Sequence, residues 1–514
     1  MNPSPLKSYW PVALVVIVAA SLRCYIWLNS DVSWLLTLAE QVLAGARAYI
    51  DFTEPNPPAS IIIYMPAIVI AHLTNISAEA ALTILMFVGA FVALFMIERI
   101  LPGDELVPAR RRPLLFGLAL ALLLILPGDN FAERENIALI AILPMLAVYV
   151  RRAGGESPSM LLASFAGVGG GIAIAMKPYF ALTLLLSWPL VAWRLRESRH
   201  KLVVAFISPE HVCVALILAA YGAVLLLVFP DYTQHVLPLV VTLYVPLRYS
   251  LPLMLANPSV ILVALTALVG AGMGIREFRG TFAGVMSLAA LGFTAALVIQ
   301  GKGWPYHGYP TVALSLFVLC TLLIRRLTTS LDGAHGSKTL SLDFKFGAGL
   351  LACIYALASY WLVQEPNREH LVSEVSRLVP PNPKVFSIYG APGLAFPLTR
   401  KLDGAPLGRT PFQWISAYCD RMLAAGALDP AGIKPIFDPS LRRTIEEYAR
   451  RDRDELADTI RSRRPDVILV GGNGEEQWAL SHPEIAAALR PYHKVETVGE
   501  VEVWLPRQAP PRHQ

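Results

Sequence analysis

The chain has 514 residues, 55% hydrophobic and 16% charged, with a net charge of +5. Soluble globular domains carry about 25% charged residues, so this composition, with a mean hydropathy of +0.52, excludes an ordinary soluble enzyme. Within residues 1–364 most Arg and Lys flank apolar runs of roughly 15 to 22 residues, a length that crosses a bilayer, so the positive charge there reads as a membrane-orientation signal and not as a nucleic-acid surface.

The runs lack period-2 alternation, which makes them helical spans and not barrel strands. In chain order, spanning helices are predicted at about 10–28, 78–97, 113–128, 136–150, 159–176, 178–194, 210–229, 252–273, 281–299, 308–326 and 345–363. The first, preceded by Lys7 and without an A-x-A box, reads as an uncleaved signal anchor. Basic clusters follow or precede the runs: Arg99 with Arg110, Arg111 and Arg112; Arg151 and Arg152; Arg194, Arg196, Arg199 and Lys201; Arg276 and Arg279; Arg325 and Arg326. All become cytoplasmic if residues 59–74, which begin at Pro57-Pro58 and contain Pro66, lie in the outer interface instead of crossing. The expected fold is thus a polytopic α-helical membrane protein of about 11 spans plus outer juxtamembrane helices, N-terminus inside and C-terminal segment outside.

The membrane part is expected to be residues 1–364, with a first outer loop at 29–77. From 365 the composition changes. "NPKVFSIYG", "PDVILVGG" and "HKVETVGEVEVWL" read as strands, and "SLRRTIEEYARRDRDELADTIRSR" reads as a charged amphipathic helix. These predict a small extracytoplasmic α/β domain over 365–508 and a tail over 509–514. The five cysteines lie far apart with no CxxC, so neither a zinc site nor a disulfide framework is suggested. "VGGNGEE" lacks the P-loop lysine and the Rossmann spacing. "GVGGG" (167–171) sits in an apolar run and reads as a helix-packing face.

Under this topology the remaining polar residues collect on the outer face. An ionisable residue at membrane depth costs roughly 2.5–3.5 kcal/mol on insertion scales, which makes each a functional candidate. Asp31, at the outer end of the first span, is placed as a general base for an acceptor hydroxyl, or as a solvated helix-end acid. Glu54 is held in "TEPNPP", stiffened by prolines, where it could orient substrate or a metal, or simply form a turn. Glu133, Arg134 and Glu135 open a span, where acids also suit the helix N-terminus. Lys177 in "MKPYF" has almost no loop around it and suits a lipid phosphate, or snorkels to the interface. In "QGKGWPYHGYP", glycines flank Lys302 and permit close approach, and His307 is titratable. His235 and Arg248 flank an apolar outer segment and are substrate-binding or structural.

These stretches resemble GT-C glycosyltransferases. The likeness is to the branch holding the lipid A aminoarabinose transferase and the dolichyl-phosphate-mannose protein mannosyltransferases. It is carried by Asp31, the "AEQVLAG" helix, "YIDFTEPNPP", "MKPYF" and the Gly-Lys-Gly loop, and covers residues 1 to about 330. The resemblance implies an inverting, polyprenyl-phosphate-sugar-dependent transferase in the inner (cytoplasmic) membrane of a bacterium, with a periplasmic active site. Its partners would be that donor, the bilayer, and an envelope glycan, lipid or protein acceptor. It implies Asp31 as the base, and Lys177, Lys302, Arg134 or Arg248 as donor-phosphate contacts. Glu54, Glu135 and His307 would bind substrate. A divalent metal at Glu54, Glu135 or His235 is an open option. Asn56 stands near the lysine of many relatives, and Val32 follows Asp31 where some have a second acid, which weighs against a metal.

The competing reading is a polytopic transporter or lipid flippase. That would need charges through the full membrane depth and pseudo-symmetric halves with broken helices. Neither is visible in the sequence.

Overall fold

A computed structural model describes residues 9–101, 106–272, 282–331, 368–389, 395–424, 436, 438–472 and 474–507. The predicted span at 345–363 and the 509–514 tail lie outside the described residues. The helices used below are α1 (Trp10–Tyr25), α2 (Ser30–Leu43), α3 (Ala78–Ile100), α4 (Arg112–Leu124), α5 (Arg134–Ala153), α6 (Met160–Met176), α7 (Ala181–Leu195), α8 (Pro209–Leu227), α9 (Phe282–Gln300), α10 (Pro305–Leu331), α11 (Trp414–Ala424) and α12 (Pro439–Arg463).

Among the described residues, five helices are long and apolar enough to cross a membrane, or six if α1 is counted with the helix that follows it. These lengths do not confirm the expected count of about eleven, one of whose spans lies outside the described residues. Three predicted spans form shorter helices: α4 with 13 residues, α6 with 17 and α7 with 15. A straight crossing takes about 20 residues. Residues 59–74 form two short helices, Ala59–Ile62 and Met65–Thr74.

By packing, the chain divides into two compact units. The first comprises Met1–Trp27, Pro57–Val228 and Ser250–Val363, and the second Leu28–Asn56, Phe229–Tyr249 and Gln364–Gln514.

In the first unit, glycines set how closely the helices approach. A Cβ on Gly167 would lie 2.2 Å from the Glu210 carbonyl oxygen of α8, and one on Gly169 would lie 2.3 Å from the Ala141 carbonyl oxygen of α5. A Cβ on Gly292 of α9 would lie 2.4 Å from Thr183 Cα of α7. "GVGGG" is therefore a packing face, as its place in an apolar run led us to expect. Where α5 and α8 meet, Arg152 donates through Nη2 to Glu210 Oε2 at 2.8 Å. Both residues are buried, and pairing is what makes two buried charges tolerable.

The second unit holds the sheet. Strands β1 (Lys384–Ile388), β2 (Ala405–Pro406), β3 (Val467–Gly471), β4 (Tyr492–Val498) and β5 (Val501–Pro506) lie in the order β2-β1-β3-β5-β4. β2, β1 and β3 are parallel, and β5 runs antiparallel to β3 and to β4. All five residues of β3 are buried, as a central strand read as a continuous apolar run requires. Gly499, at φ +60°, turns β4 into β5. Leu456 and Ile460 of α12 join Phe386, Ile468, Val470 and Trp504 in one core. Helix α12 matches the predicted amphipathic helix, with its charged face outward and only Ile445, Ala449, Leu456, Ala457 and Ile460 buried.

Candidate active site

In the first unit, three separate stretches bring charge to one buried place. Lys177 caps the C-terminus of α6 in extended backbone, with φ −145° and ψ 112°. Pro178 enforces this, because a residue before proline avoids the helical region. Glu135 lies in the first turn of α5. His307 lies in the first turn of α10, which begins at Pro305. Lys177 Nζ donates to Glu135 Oε1 at 2.6 Å and lies 3.4 Å from His307 Nε2. His307 Nε2 is 3.5 Å from the same carboxylate oxygen. The ammonium also stands 5.4 Å from the centroid of the Tyr306 ring.

Arg134 and Lys302 belong to the same neighbourhood, since their charges and that of Lys177 all act on His307. Arg134 Nε is 3.9 Å from Glu133 Oε2. Gly301 and Gly303 have φ of +65° and +68°, so the Gly-Lys-Gly loop uses a conformation that glycine adopts without strain. Glu133, Arg134, Glu135, Lys177, Lys302 and His307 are all buried. Glu135 Oε2 and His307 Nδ1 have no hydrogen-bond partner among the described residues. Buried polar atoms are almost always paired, so these two mark a place prepared for a polar ligand or water. Sequence reasoning missed Asn136. It accepts from Ala132 N–H at 3.0 Å and donates to the Leu123 carbonyl at 3.1 Å and to Tyr309 Oη at 3.0 Å. It thereby fixes the start of α5.

In the second unit, Asp31 sits half-buried in the first turn of α2. Asn29 caps that helix by accepting from Val32 N–H at 2.9 Å. Burial, with the Asp31 carboxylate adding to it, pushes the Tyr418 phenol up to about 12. Tyr418 packs 5.9 Å from Trp414 and 6.1 Å from Tyr244, ring to ring. Glu54 is 2% exposed. It accepts from Trp34 Nε1 at 2.6 Å, from Asn56 N–H at 2.9 Å and from the Asn56 side-chain amide, so it holds the proline-rich exit of the loop together. His235 is exposed and lies 3.6 Å from Asp231. Arg248 is exposed and donates to its own turn at the Val245 carbonyl, 3.1 Å away. No group of three or more His, Cys, Asp or Glu among the described residues is placed to hold a metal ion.

Sequence reasoning did not foresee how residues 28–56 are held in this unit. Arg400 binds Glu40 with two parallel hydrogen bonds, at 2.8 and 2.9 Å, and Thr37 Oγ1 at 3.1 Å. The Arg409 backbone carbonyl accepts from Thr53 N–H at 2.7 Å, and its side chain donates to the Ile50 carbonyl at 2.6 Å. Trp34 stacks edge-on against Phe396 at 4.6 Å. A lone acid in the apolar stretch "WLLTLAEQVL" was the one available hint.

No protein-family model matches the chain, and no curated protein sequence does. Solved structures do. ArnT from Cupriavidus metallidurans, in its structure bound to undecaprenyl phosphate, aligns over 96% of this chain and 97% of its own, at 13% identity and a TM-score of 0.54. The chain has the fold of ArnT. The apo structure of the same protein gives 14% identity and a TM-score of 0.53 over the same shares. The archaeal oligosaccharyltransferase AglB from Archaeoglobus fulgidus, in complex with an inhibitory peptide and a dolichol-phosphate, aligns over 96% of this chain and 73% of its own, with 12% identity and a TM-score of 0.45. The fold expected from the short motifs is therefore matched, as a fold, by ArnT. The likeness to ArnT runs through the C-terminal α/β part as well as the helices, because it covers nearly the whole chain.

Proposed function

We propose that the chain is an integral-membrane inverting glycosyltransferase. It moves a sugar from a polyprenyl-phosphate donor to an acceptor hydroxyl on the extracytoplasmic side. The observation that carries this reading is the buried group of Arg134, Lys177 and Lys302, beside Glu135 Oε2 and His307 Nδ1, which have no hydrogen-bond partner among the described residues. It occurs on a fold whose solved example ArnT holds undecaprenyl phosphate.

In the proposed reaction the acceptor oxygen attacks the anomeric carbon and the sugar–phosphate bond breaks behind it. The hydroxyl proton passes to the Asp31 carboxylate. The electron pair leaves on the polyprenyl phosphate, where Lys177, Lys302 and Arg134 stabilise the charge. Glu135 and His307 fix the position of the Lys177 ammonium. Glu54 keeps the loop bearing Asp31 in shape through Trp34 and Asn56. Two carboxylates acting as base and nucleophile are not needed, since the donor phosphate is already a leaving group.

The decisive experiment is Asp31→Asn in the full chain. Transfer from a radiolabelled polyprenyl-phosphate sugar to extracted envelope acceptors should collapse, with folding and donor binding retained. Undiminished transfer would remove Asp31 from the reaction. Absence of transfer by the unaltered chain with any such donor would favour transport instead. Sidedness is tested separately: a reporter fused near residue 105 should read cytoplasmic and one at the C-terminus periplasmic.

A further inference from the structure

The buried polar groups beside the ionic cluster are of two kinds. Glu135 Oε2 and His307 Nδ1 have no hydrogen-bond partner among the described residues. Asn136 and Tyr309, 0% and 1% exposed, commit every polar proton to the protein itself. The Asn136 amide donates to the Leu123 carbonyl at 3.1 Å and to Tyr309 Oη at 3.0 Å. Tyr309 gives its only proton to the Leu122 carbonyl at 2.9 Å, so toward Asn136 it accepts. Neither residue has a donor left for a substrate. Whatever they contribute to the site is exerted through their neighbours.

Those neighbours belong to the cluster. Asn136 follows Glu135 in the first turn of α5. Successive helical side chains project about 100° apart, so the carboxylate reaches Lys177 while the amide reaches α4 and α10. Tyr309 stands two residues after His307 in the first turns of α10. Pro310 comes next and lacks the N–H that would bond the Tyr306 carbonyl within the helix. The turn bearing His307 therefore forgoes one internal hydrogen bond, and the Tyr309 hydroxyl anchors it from outside.

The chain entering α5 is held by the same amide. Ala132 has a φ of +63°, left-handed backbone that strains any residue but glycine. Its N–H donates to Asn136 Oδ1 at 3.0 Å, and its carbonyl accepts from Tyr64 Oη at 2.8 Å. Such backbone persists where surrounding contacts over-determine it, and here it directly precedes Glu133, Arg134 and Glu135. One side chain thus joins the entry to α5, the end of α4 and the start of α10.

We propose that Asn136 and Tyr309 are positioning residues: their contact holds Glu135 and His307 at the spacing that presents the Lys177 ammonium to the donor's phosphate. This rests on the glycosyltransferase reading and adds to it two residues that touch neither substrate nor reacting atoms.

The test measures the affinity of the full chain, purified in detergent, for undecaprenyl phosphate, with the unfolding temperature recorded for each variant. Asn136→Ala would also strand the Ala132 N–H, so Tyr309→Phe, which keeps the ring, carries the test. It should weaken binding about fivefold, the worth of one buried hydrogen bond. In a Lys177→Met background the same change should cost less than about twofold, because the ammonium it positions is gone. Thr294→Val is the control for a purely structural contact. It breaks a buried hydroxyl pair between α9 and α10, Thr294 with Thr311 at 3.1 Å, and should lower the unfolding temperature without changing affinity. The proposal is overturned, with the phosphate reading left standing, if Tyr309→Phe binds as the unaltered chain does or loses no more than Thr294→Val. Full additivity of the Tyr309→Phe and Lys177→Met losses overturns it in the same way. Lys177→Met binding as tightly as the unaltered chain would remove the phosphate from the cluster and overturn both.

Discussion

Arg400 and Glu40 lie 360 positions apart in sequence and meet in two parallel hydrogen bonds within one compact unit. Paired N–H donors on a carboxylate are among the stronger polar contacts in proteins, and they fix orientation as well as distance. The Arg400 side chain is largely buried and that of Glu40 partly exposed, so solvent weakens the pair without abolishing it. We expect Arg400→Ala and Glu40→Ala each to lower stability by about 1–2 kcal/mol, with a coupling of at least about 0.5 kcal/mol in the double-mutant cycle. Denaturant unfolding of the four proteins measures this. Strict additivity would mean the contact holds nothing.

The ionic cluster predicts changes of opposite sign. Lys177→Met removes a cation hydrogen-bonded to Glu135. It should weaken binding of a polyprenyl phosphate by about tenfold or more, the loss of one hydrogen bond to a charged group. Glu135→Gln removes a competing anion and should leave that affinity unchanged or raise it. Equilibrium binding in micelles decides the matter: equal losses in both variants would make the group a structural ion pair.

Asp452 provides a pH test of the second unit. Burial pushes its carboxyl up to about 6, although Ser416 donates to it from its backbone N–H at 3.0 Å and from its hydroxyl. The folded state thus holds the proton more tightly than the unfolded chain, whose aspartate titrates near 3.9. The stabilisation from this group is complete below about pH 4 and is lost as pH rises through about 6. Asp452→Asn should flatten that part of the profile, so the wild type's stability relative to the variant falls between pH 4.5 and 7. Thermal melts across that window would show a parallel pair of curves if the carboxyl titrates normally.

Glycine contacts predict a split between two alanine substitutions. Gly292→Ala places a methyl group 2.4 Å from Thr183 Cα and 2.7 Å from the Leu182 carbonyl oxygen, both backbone atoms that cannot swing aside. Gly222→Ala meets nothing within 4 Å. The first should sharply reduce the yield of monodisperse protein and the second should not, as read by size-exclusion chromatography of the solubilised chain. Comparable yields would mean that α7 and α9 are not tightly apposed there.

Much of this architecture is legible in the sequence because its causes are local. "PDVILVGG" is a run of buried-strand residues and becomes the central strand. The glycines of "GVGGG" and of Gly-Lys-Gly stand where close approach or positive φ demands them. Glu135, Lys177 and His307 stood out because charge is costly beside apolar runs, and the chain brings these three within hydrogen-bonding reach. Span boundaries were less legible, since hydropathy marks apolar runs but not where a helix such as α4 stops short of the run's end. Arg400, Arg409 and Asp452 were invisible because each sits in a polar or amphipathic stretch. Only tertiary packing distinguishes such residues from solvated surface.

The second unit is discontinuous in the chain: residues 28–56 and 229–249 pack with those after 364. The polypeptide must therefore be synthesised almost to its end before Glu40 and Thr53 meet the partners that hold them. Until then α2 is a helix with eight buried residues whose covering is incomplete, and a nascent chain interrupted before Arg400 would present that surface to whatever quality-control machinery surveys unfinished chains. Proteolytic loss of the C-terminal sheet alone should likewise be read there as a defect at residue 31, far upstream of the cut.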